Sequence, residues 1–593
     1  MPILKRSNML VCMGSRPQSK HTAVLVLFLL SIPAGSAQLV KSSNPPVVFL
    51  NGYQQVCSIS SFAGTFGIAD QVLASQGISS TFFDNCTLAG QPPIEDLGKA
   101  LGVFLAGLRF TDGSKVPLVD VIAHSMGGLI VRAYLSGKQT GGAVFQPPAS
   151  PGIRKAVFLA TPNFGSGLAL FFGVGNAQSG ELASGSQFLF DLGTWNQGTD
   201  DLRGVDGLAL IGNAGSETMT GFDDGVVALT SASIGFAEPG RTRVLPYCHS
   251  EARGLLVDFG LCSSGSTGIA HITSPTQDVA RALVSFLKGS TDWQTIGTAA
   301  EQDKFLSGDG GLIVEARSAD DSILTLSSIT AAGPTLTKKL NIASSTVGYT
   351  DLFPAGATTL TTGSVSNSFT LPSGYVDAVT VKPGPKIARV YPAAAAVFPL
   401  SVAAGQIVSV YGTLLAAGTV QASAQPLPTQ LSDAQVLVNS VPVPLFYASP
   451  SQINALIPAT ATGLVTLTVK NGAGKNMVNV LIEPTVPTLF STNSAGTGPA
   501  AALDASNAAV SAGNPLHAGA FVELFATGIG SVASTVTVGG MTCAVSFAGP
   551  APGFTGLDQI NCMLPPGLTG ATLPVVVKAG NRISNTVTLP IVP

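Results

Sequence analysis

Between residues 45 and 290 the apolar positions switch repeatedly between two periods. From Pro45, PPVVFLNGY is an unbroken apolar run that ends on a Gly turn, the pattern of a strand buried on both faces. Residues 94–108, IEDLGKALGVFLAGL, then space their apolar side chains as one face of a helix. VPLVDVIAHS from Val116 reads as a second buried strand, and GGLIVRAYLSG as a helix that stops on Gly137. IRKAVFLATPN from Ile153, LALIGN from Leu208 and RTRVLPYC from Arg241 are further strands, and DVARALVSFL from Asp278 is a final amphipathic helix. Strands alternating with helices predict an α/β domain over residues 45–290, a mostly parallel sheet flanked by helices.

After Trp293 the helical period disappears. Short Val-, Thr- and Leu-rich runs separated by Gly, Pro, Asn and Ser take over, which predicts all-β sandwich modules. One is expected over residues 294–385. The remainder repeats itself. GQIVSVYG from Gly405 parallels GAFVELFA from Gly519, QINALIP from Gln452 parallels QINCMLP from Gln559, and LVTLTVKNGAGKNMVNVLI from Leu464 parallels LPVVVKAGNRISNTVTLPI from Leu573. Two copies of one β-module, at 390–485 and 486–593, are the simplest account.

The first forty residues carry Lys5, Arg6, Arg16 and Lys20 and no acid, followed by the apolar run TAVLVLFLLSIPAG and the small residues Gly35-Ser36-Ala37. That is the layout of a cleaved signal peptide over residues 1–37, and it predicts a secreted or periplasmic protein with no transmembrane segment left after cleavage. Cleavage takes the basic count from 29 to 25 against 32 acids, and only 10% of the chain is charged. A mildly acidic chain without a basic patch argues against a nucleic-acid partner. Cys12 leaves with the leader, and six cysteines remain in an exported chain. Local pairing is expected as Cys57–Cys86, Cys248–Cys262 and Cys543–Cys562. No CxxC or His-Cys cluster has metal-site spacing.

Ala123-His124-Ser125-Met126-Gly127 ends a strand and opens a helix. A sharp strand-to-helix turn exposes a Ser hydroxyl above the sheet, and small residues two before and two after relieve the crowding. Ser125 is therefore the candidate nucleophile. The same AHSMG stands in some bacterial lipases, and residues 45–290 resemble that α/β-hydrolase family further. ATPNFGSGLA from Ala160 is similar to its TPHxGS segment, GSQFLFDLGTWN from Gly185 to its GSPFLxxLN segment, and Phe222-Asp223-Asp224-Gly225-Val226-Val227 to its NDGVV segment.

The resemblance implies Asp224 as the acid of a Ser-His-Asp triad, with Asp223 capping the turn. Asp206 and Asp258 are less well placed. It implies that the backbone N–H groups of Tyr53 and Met126 form the oxyanion hole, with Gln54 as the alternative donor to Tyr53; Asn51 stands where the family usually has His. Leu168, Leu170, Phe171 and Phe172, with Phe188, Leu189, Phe190 and Trp195, form either a lid or acyl-binding wall or ordinary core. The chain order Ser…Asp…His leaves two candidates for the base. His249 directly follows the RTRVLPYC strand and stands 25 residues beyond Asp224, while His271 opens the stretch leading into the last helix. His249 is the choice and His271 the alternative. His124 lies inside the elbow, where it packs or faces solvent, and His517 belongs to the C-terminal repeats.

The implied activity is hydrolysis of carboxylic esters or lipid-like small molecules, with no cofactor. A phospholipase, acyltransferase, thioesterase or amidase on the same fold is the first alternative, and an exported binding or adhesion protein with a degenerate hydrolase domain the second. The paired repeats resemble the immunoglobulin-like, IPT-type modules of large secreted bacterial proteins. Such modules imply contact with a cell surface or polysaccharide. Every expected catalytic residue precedes Ile272, so the hydrolase domain is expected to fold and react without residues 294–593.

Overall fold

The structure is a computed structural model. It describes residues 39–593 apart from 55–61, 89, 170–175, 198–201, 216–221, 234–239, 252–259, 298–299, 319–323, 345, 364, 383, 396–400, 531 and 533. The expected signal peptide lies outside the described residues.

The first layer system is a six-stranded sheet built from β1 (Val47–Leu50), β2 (Ser80–Phe83), β3 (Val119–His124), β4 (Ile153–Leu159), β5 (Asp206–Gly212) and β6 (Thr242–Leu245), in the order β2-β1-β3-β4-β5-β6. Every neighbouring pair is parallel. The helices are α1 (Phe62–Phe66), α2 (Ala69–Ser75), α3 (Ile94–Gly107), α4 (Met126–Ser136), α5 (Ala177–Leu182), α6 (Gln187–Thr194), α7 (Leu229–Ala232), α8 (Asp278–Leu287) and α9 (Ala300–Ser307). Alternate strand residues feed two separate cores. Val48, Leu50, Val121, Ala123 and Ile211 pack with α3 and α4, while Val47, Phe49, Ile122, Leu208 and Leu210 pack with α1, α2 and α8. A sheet covered on both faces has no polar face, which is why its strands read as continuous apolar runs. The short edge strand β2, with Ser80 and Thr81 among its four residues, carries no such run, and the hydrophobic pattern missed it.

The apolar stretch after β4 is divided in its fate. Leu170, Phe171 and Phe172 lie outside the described residues. Trp195 is fully buried, and Phe188 and Leu189 are nearly so. These three are core, as expected for large aromatic and aliphatic groups with a packed layer above them.

The edge of the sheet at β6 is closed by a side chain. Gln302 on α9 accepts from Val244 N at 2.6 Å and donates to Thr242 O at 3.2 Å, so one amide completes part of the backbone ladder a seventh strand would occupy. The guanidinium of Arg243 donates to the carbonyls of Ile296 and Gly297.

Beyond α9 come β7 (Asp309–Ala316), β8 (Thr330–Ala332), β9 (Thr337–Lys339), β10 (Asn341–Ser344), β11 (Val347–Pro354), β12 (Gly356–Thr362), β13 (Val365–Leu371) and β14 (Val376–Val381). They make two four-stranded sheets, β10-β11-β7-β14 and β13-β12-β8-β9. Leu312, Val314, Phe353 and Leu360 fill the space between them. The side of the first sheet turned toward the α/β domain is also apolar. Ile313, Val347, Tyr349 and Val376, with Phe305 of α9, belong to the same continuous cluster as α3, α4 and α6. The Tyr349 hydroxyl donates to Phe164 O, and Thr230 Oγ1 donates to Thr350 O at 2.8 Å. A cut near Trp293 therefore passes through a core, a relation that composition along the chain does not reveal.

The rest of the chain is β-sandwich. Lys386–Pro392, Ile407–Thr413, Gln452–Leu456, Leu445–Ala448 and Val420–Gln421 form one five-stranded sheet, facing a second that contains Gly474–Glu483, Gly463–Asn471 and Gln435–Val438. The sequence repeat is also a repeat of pairing: Ile407 opposes Leu456 antiparallel in one copy, and Phe521 opposes Met563 in the other. In the second copy the strand Met541–Pro550 pairs with members of both sheets and joins them. The disulfide Cys543–Cys562 ties that strand to its neighbour Asp558–Met563, and Cys248–Cys262 closes a loop after β6. The expected Cys57–Cys86 pairing involves Cys57, outside the described residues.

Candidate active site

Ser125 sits between β3 and α4 with φ 54° and ψ −129°. A non-Gly residue rarely holds this backbone, and the surrounding packing must impose it. The imposition is visible at three glycines. A Cβ on Gly52 would lie 2.6 Å from Ser125 Cβ, one on Gly127 would lie 2.8 Å from the carbonyl oxygens of Leu50 and Asn51, and one on Gly128 would meet Thr161 Oγ1 at 2.0 Å. The β1 turn and α4 thus touch with no room for side chains, α4 lies equally close to Thr161 just after β4, and Ser125 is held at the crossing. Its own N–H donates to Leu159 O at 2.8 Å, extending the β3–β4 ladder.

His249 lies four residues beyond β6. Its Nε2 is 2.9 Å from Ser125 Oγ, and its Nδ1 is 2.9 Å from Asp224 Oδ2. The other carboxylate oxygen of Asp224 accepts from Val226 N at 3.0 Å and Val227 N at 2.7 Å. Backbone donors therefore fix the plane of the carboxylate, and the carboxylate fixes the imidazole so that Nε2 faces the hydroxyl. Asp224 is buried, and its carbonyl accepts from His249 N at 2.8 Å. Asp223 turns the other way, accepting from Gly225 N at 2.9 Å and capping the turn.

The other candidates fall elsewhere. His271 pairs with Glu251 at 3.3 Å. Asp206 pairs with Lys155 and Arg241 at the start of β5, Asp258 is outside the described residues, and the Nδ1 of exposed His517 is 2.8 Å from Pro593 O.

Residues 51–53 run directly against Ser125, as the Gly52 clearance requires. Asn85 positions them: its Nδ2 donates to Gly52 O at 2.7 Å and its N–H to Asn51 Oδ1 at 3.3 Å. Asn85 gave no sequence signal, since it enters from a 3-10 turn 34 positions away. The Tyr53 hydroxyl accepts from Asn176 Nδ2 at 2.8 Å, just before α5, while the Gln54 carbonyl accepts from Gln91 Nε2. Met126 is the first residue of α4, where N–H groups have no intrahelical acceptor and the helix dipole is positive.

His124 is buried rather than solvent-facing. Its Nε2 is 2.9 Å from the His249 carbonyl, and the two rings lie 5.0 Å apart at 45°. Burial pushes its pKa down to about 3, so the ring is neutral and Nε2 carries a proton to donate.

Among the described residues no His/Cys/Asp/Glu group has the arrangement of a metal site, and no helix is long and apolar enough to cross a membrane.

The fold is a six-stranded parallel sheet flanked by helices, followed by β-sandwich modules. Residues 392–482 match the family model of the IPT/TIG domain. Among solved structures, the chain is similar to phospholipase PlaB from Legionella pneumophila in complex with thio-NAD, at 16% identity over 57% of this chain and 93% of that one, with a TM-score of 0.39. It is similar to Bacillus licheniformis lipase BlEst2 in mature form, at 18% identity over 36% of this chain and 90% of that one, TM-score 0.27. It is also similar to Bacteroides ovatus SGBP-B in complex with a mixed-linkage heptasaccharide, at 15% identity over 46% and 65%, TM-score 0.20. No curated protein sequence matches.

Proposed function

We propose that this chain is an exported serine hydrolase of carboxylic esters, of lipase or esterase type. The observation that carries the reading is the unbroken hydrogen-bonded series Ser125–His249–Asp224, each link 2.9 Å, on a strained strand-to-helix turn. In this mechanism His249 Nε2 takes the Ser125 proton as Oγ bonds to the ester carbonyl carbon. The carbonyl oxygen becomes an oxyanion bound by the N–H groups of Tyr53 and Met126. Collapse breaks the bond to the alkoxy oxygen, which receives the proton from His249 and leaves as the alcohol. Water then repeats the sequence on the acyl-Ser125 ester and releases the acid. Water is the only co-reactant this chemistry needs.

The leader-like N-terminus and the disulfides Cys248–Cys262 and Cys543–Cys562 support an extracellular or periplasmic site of action. The C-terminal modules are assigned to contact with a cell surface or polysaccharide.

The test is turnover of a chain-length series of p-nitrophenyl esters by the full chain and its variants. Ser125→Ala is expected to lose about four or more orders of magnitude in kcat with an unchanged melting temperature. His249→Ala is expected to be similarly inactive, and His271→Ala near normal. Substantial turnover by folded Ser125→Ala removes the reading, and an inactive His271→Ala beside an active His249→Ala moves the base to His271. A parent chain inert to both the esters and a fluorophosphonate probe supports the exported binding-protein alternative. Preference for phospholipid, thioester or amide substrates, or transfer to alcohols in place of water, assigns the other acyl chemistries.

A further inference from the structure

We propose that His124 is a positioning residue that holds the base-bearing loop against the nucleophile-bearing strand through its hydrogen bond to the His249 carbonyl. The inference rests on the assignment of Ser125 and His249 above.

His249 is gripped at four points. Its N–H donates to Asp224 O, Nδ1 meets Asp224 Oδ2, Nε2 meets Ser125 Oγ, and its carbonyl faces His124 Nε2. The first two attach it to the turn after β5. The third is the bond that chemistry must break, because Nε2 has to swing its proton from Oγ to the leaving group. Only the fourth ties the His249 backbone to β3 in a way that survives every step. His124 and Ser125 are consecutive, so a fixed His124–His249 distance also fixes the approach of Nε2 to Oγ. The donor has the chemistry the task needs. The ring is buried, with 8% of its surface exposed, and lies 5.0 Å from the ring that becomes imidazolium. A permanent cation there would oppose that charge, whereas burial keeps His124 neutral and still leaves one N–H to donate. Next to His249 the loop is also held by the Cys248–Cys262 disulfide and by the Cys248 backbone bonds to Thr267 and Ile269.

The experiment compares full-length His124→Phe, His124→Asn and His124→Gln with the parent, for kcat and KM on p-nitrophenyl butyrate, rate of fluorophosphonate labelling, and melting temperature. Phe keeps the ring but has no donor. The Asn amide falls short of the carbonyl, and the Gln amide reaches about as far as Nε2. The expected result is a kcat lowered by about 100-fold in His124→Phe and His124→Asn, with KM within about threefold and labelling slowed in step, because a base displaced by about 1 Å loses that much. His124→Gln is expected to recover most of the loss. If His124→Phe does not fold, the Asn and Gln pair carries the same comparison. The proposal is overturned if His124→Phe and His124→Asn turn over within about threefold of the parent, or if folded His124→Gln is no better than His124→Asn. Ser125→Ala in the same assay separates the two levels: if it is active the chemistry assigned above has failed, and if it is dead while His124→Asn is normal only the positioning role has failed.

Discussion

Replacing Gly52 by Ala places one methyl group where the β1 turn crosses the elbow. The added carbon would stand 2.6 Å from Ser125 Cβ, 3.1 Å from Ser125 Oγ and 3.3 Å from His124 O. Carbon atoms pack at about 3.5–4.0 Å, so the two segments must separate by about 1 Å. Ser125 cannot easily supply that movement, because its N–H is paired with Leu159 O and its backbone is already at φ 54°. The turn yields instead, and the bond from Asn85 Nδ2 to the Gly52 carbonyl is strained with it. That displacement carries the Tyr53 N–H away from the oxyanion it is proposed to bind. A shift of about 1 Å at a reacting centre costs about 100-fold in rate, equivalent to about 2.7 kcal/mol of barrier. The measurement is kcat/KM on p-nitrophenyl butyrate beside a thermal melt, with Gly107→Ala as control. Gly107 ends α3, is exposed, and a Cβ there meets nothing within 4 Å; its substitution is expected to leave turnover unchanged and to stabilise by up to about 1 kcal/mol. A folded Gly52→Ala protein with turnover within about threefold of the parent would refute the reasoning.

A fragment of residues 38–293 lacks Gln302 at the β6 edge and the cover given by Phe305, Ile313, Val347, Tyr349 and Val376. It is expected to melt about 10 °C or more below a fragment of residues 38–385, or to aggregate, since burial of several apolar side chains amounts to several kcal/mol; equal melting temperatures would show that this core is dispensable. Burial raises the carboxyl pKa of Glu181 to about 8, with Glu95 beside it, from an ordinary 4.5. Between those values the native chain keeps a proton that the unfolded chain has released, so this contribution to stability is complete below pH 4.5 and is lost as pH rises through 8. Melting curves from pH 5 to 8 are expected to fall less steeply for Glu181→Gln than for the parent, and an unchanged slope would show that the native carboxyl is not held neutral.

Much of the first domain was legible in the chain because its signals are local. Strands such as VVFL and VDVIAH are apolar throughout because both faces of the parallel sheet are covered, and the spacing of IEDLGKALGVFLAG is that of a helix with one face on the core. The elbow is local too: a strand end, a Ser and two following glycines are contiguous, and their crowding is already implied by residue size. The β-repeats were legible because matching apolar runs pair in the same way in both copies. What proximity in sequence could not decide is which distant groups meet. His249 and His271 both follow Asp224 in chain order, and only the path of the loop after β6 brings His249 to Ser125 and leaves His271 with Glu251. Asn85 under the β1 turn, the His124–His249 bond, the Gln302 side chain on the sheet edge, and the shared core across Trp293 are pairings between residues dozens to more than a hundred positions apart. Periodicity along the chain determined which faces are apolar; the tertiary packing decided which of those faces, and which buried polar groups, found each other, because that depends on the summed geometry of every element between them.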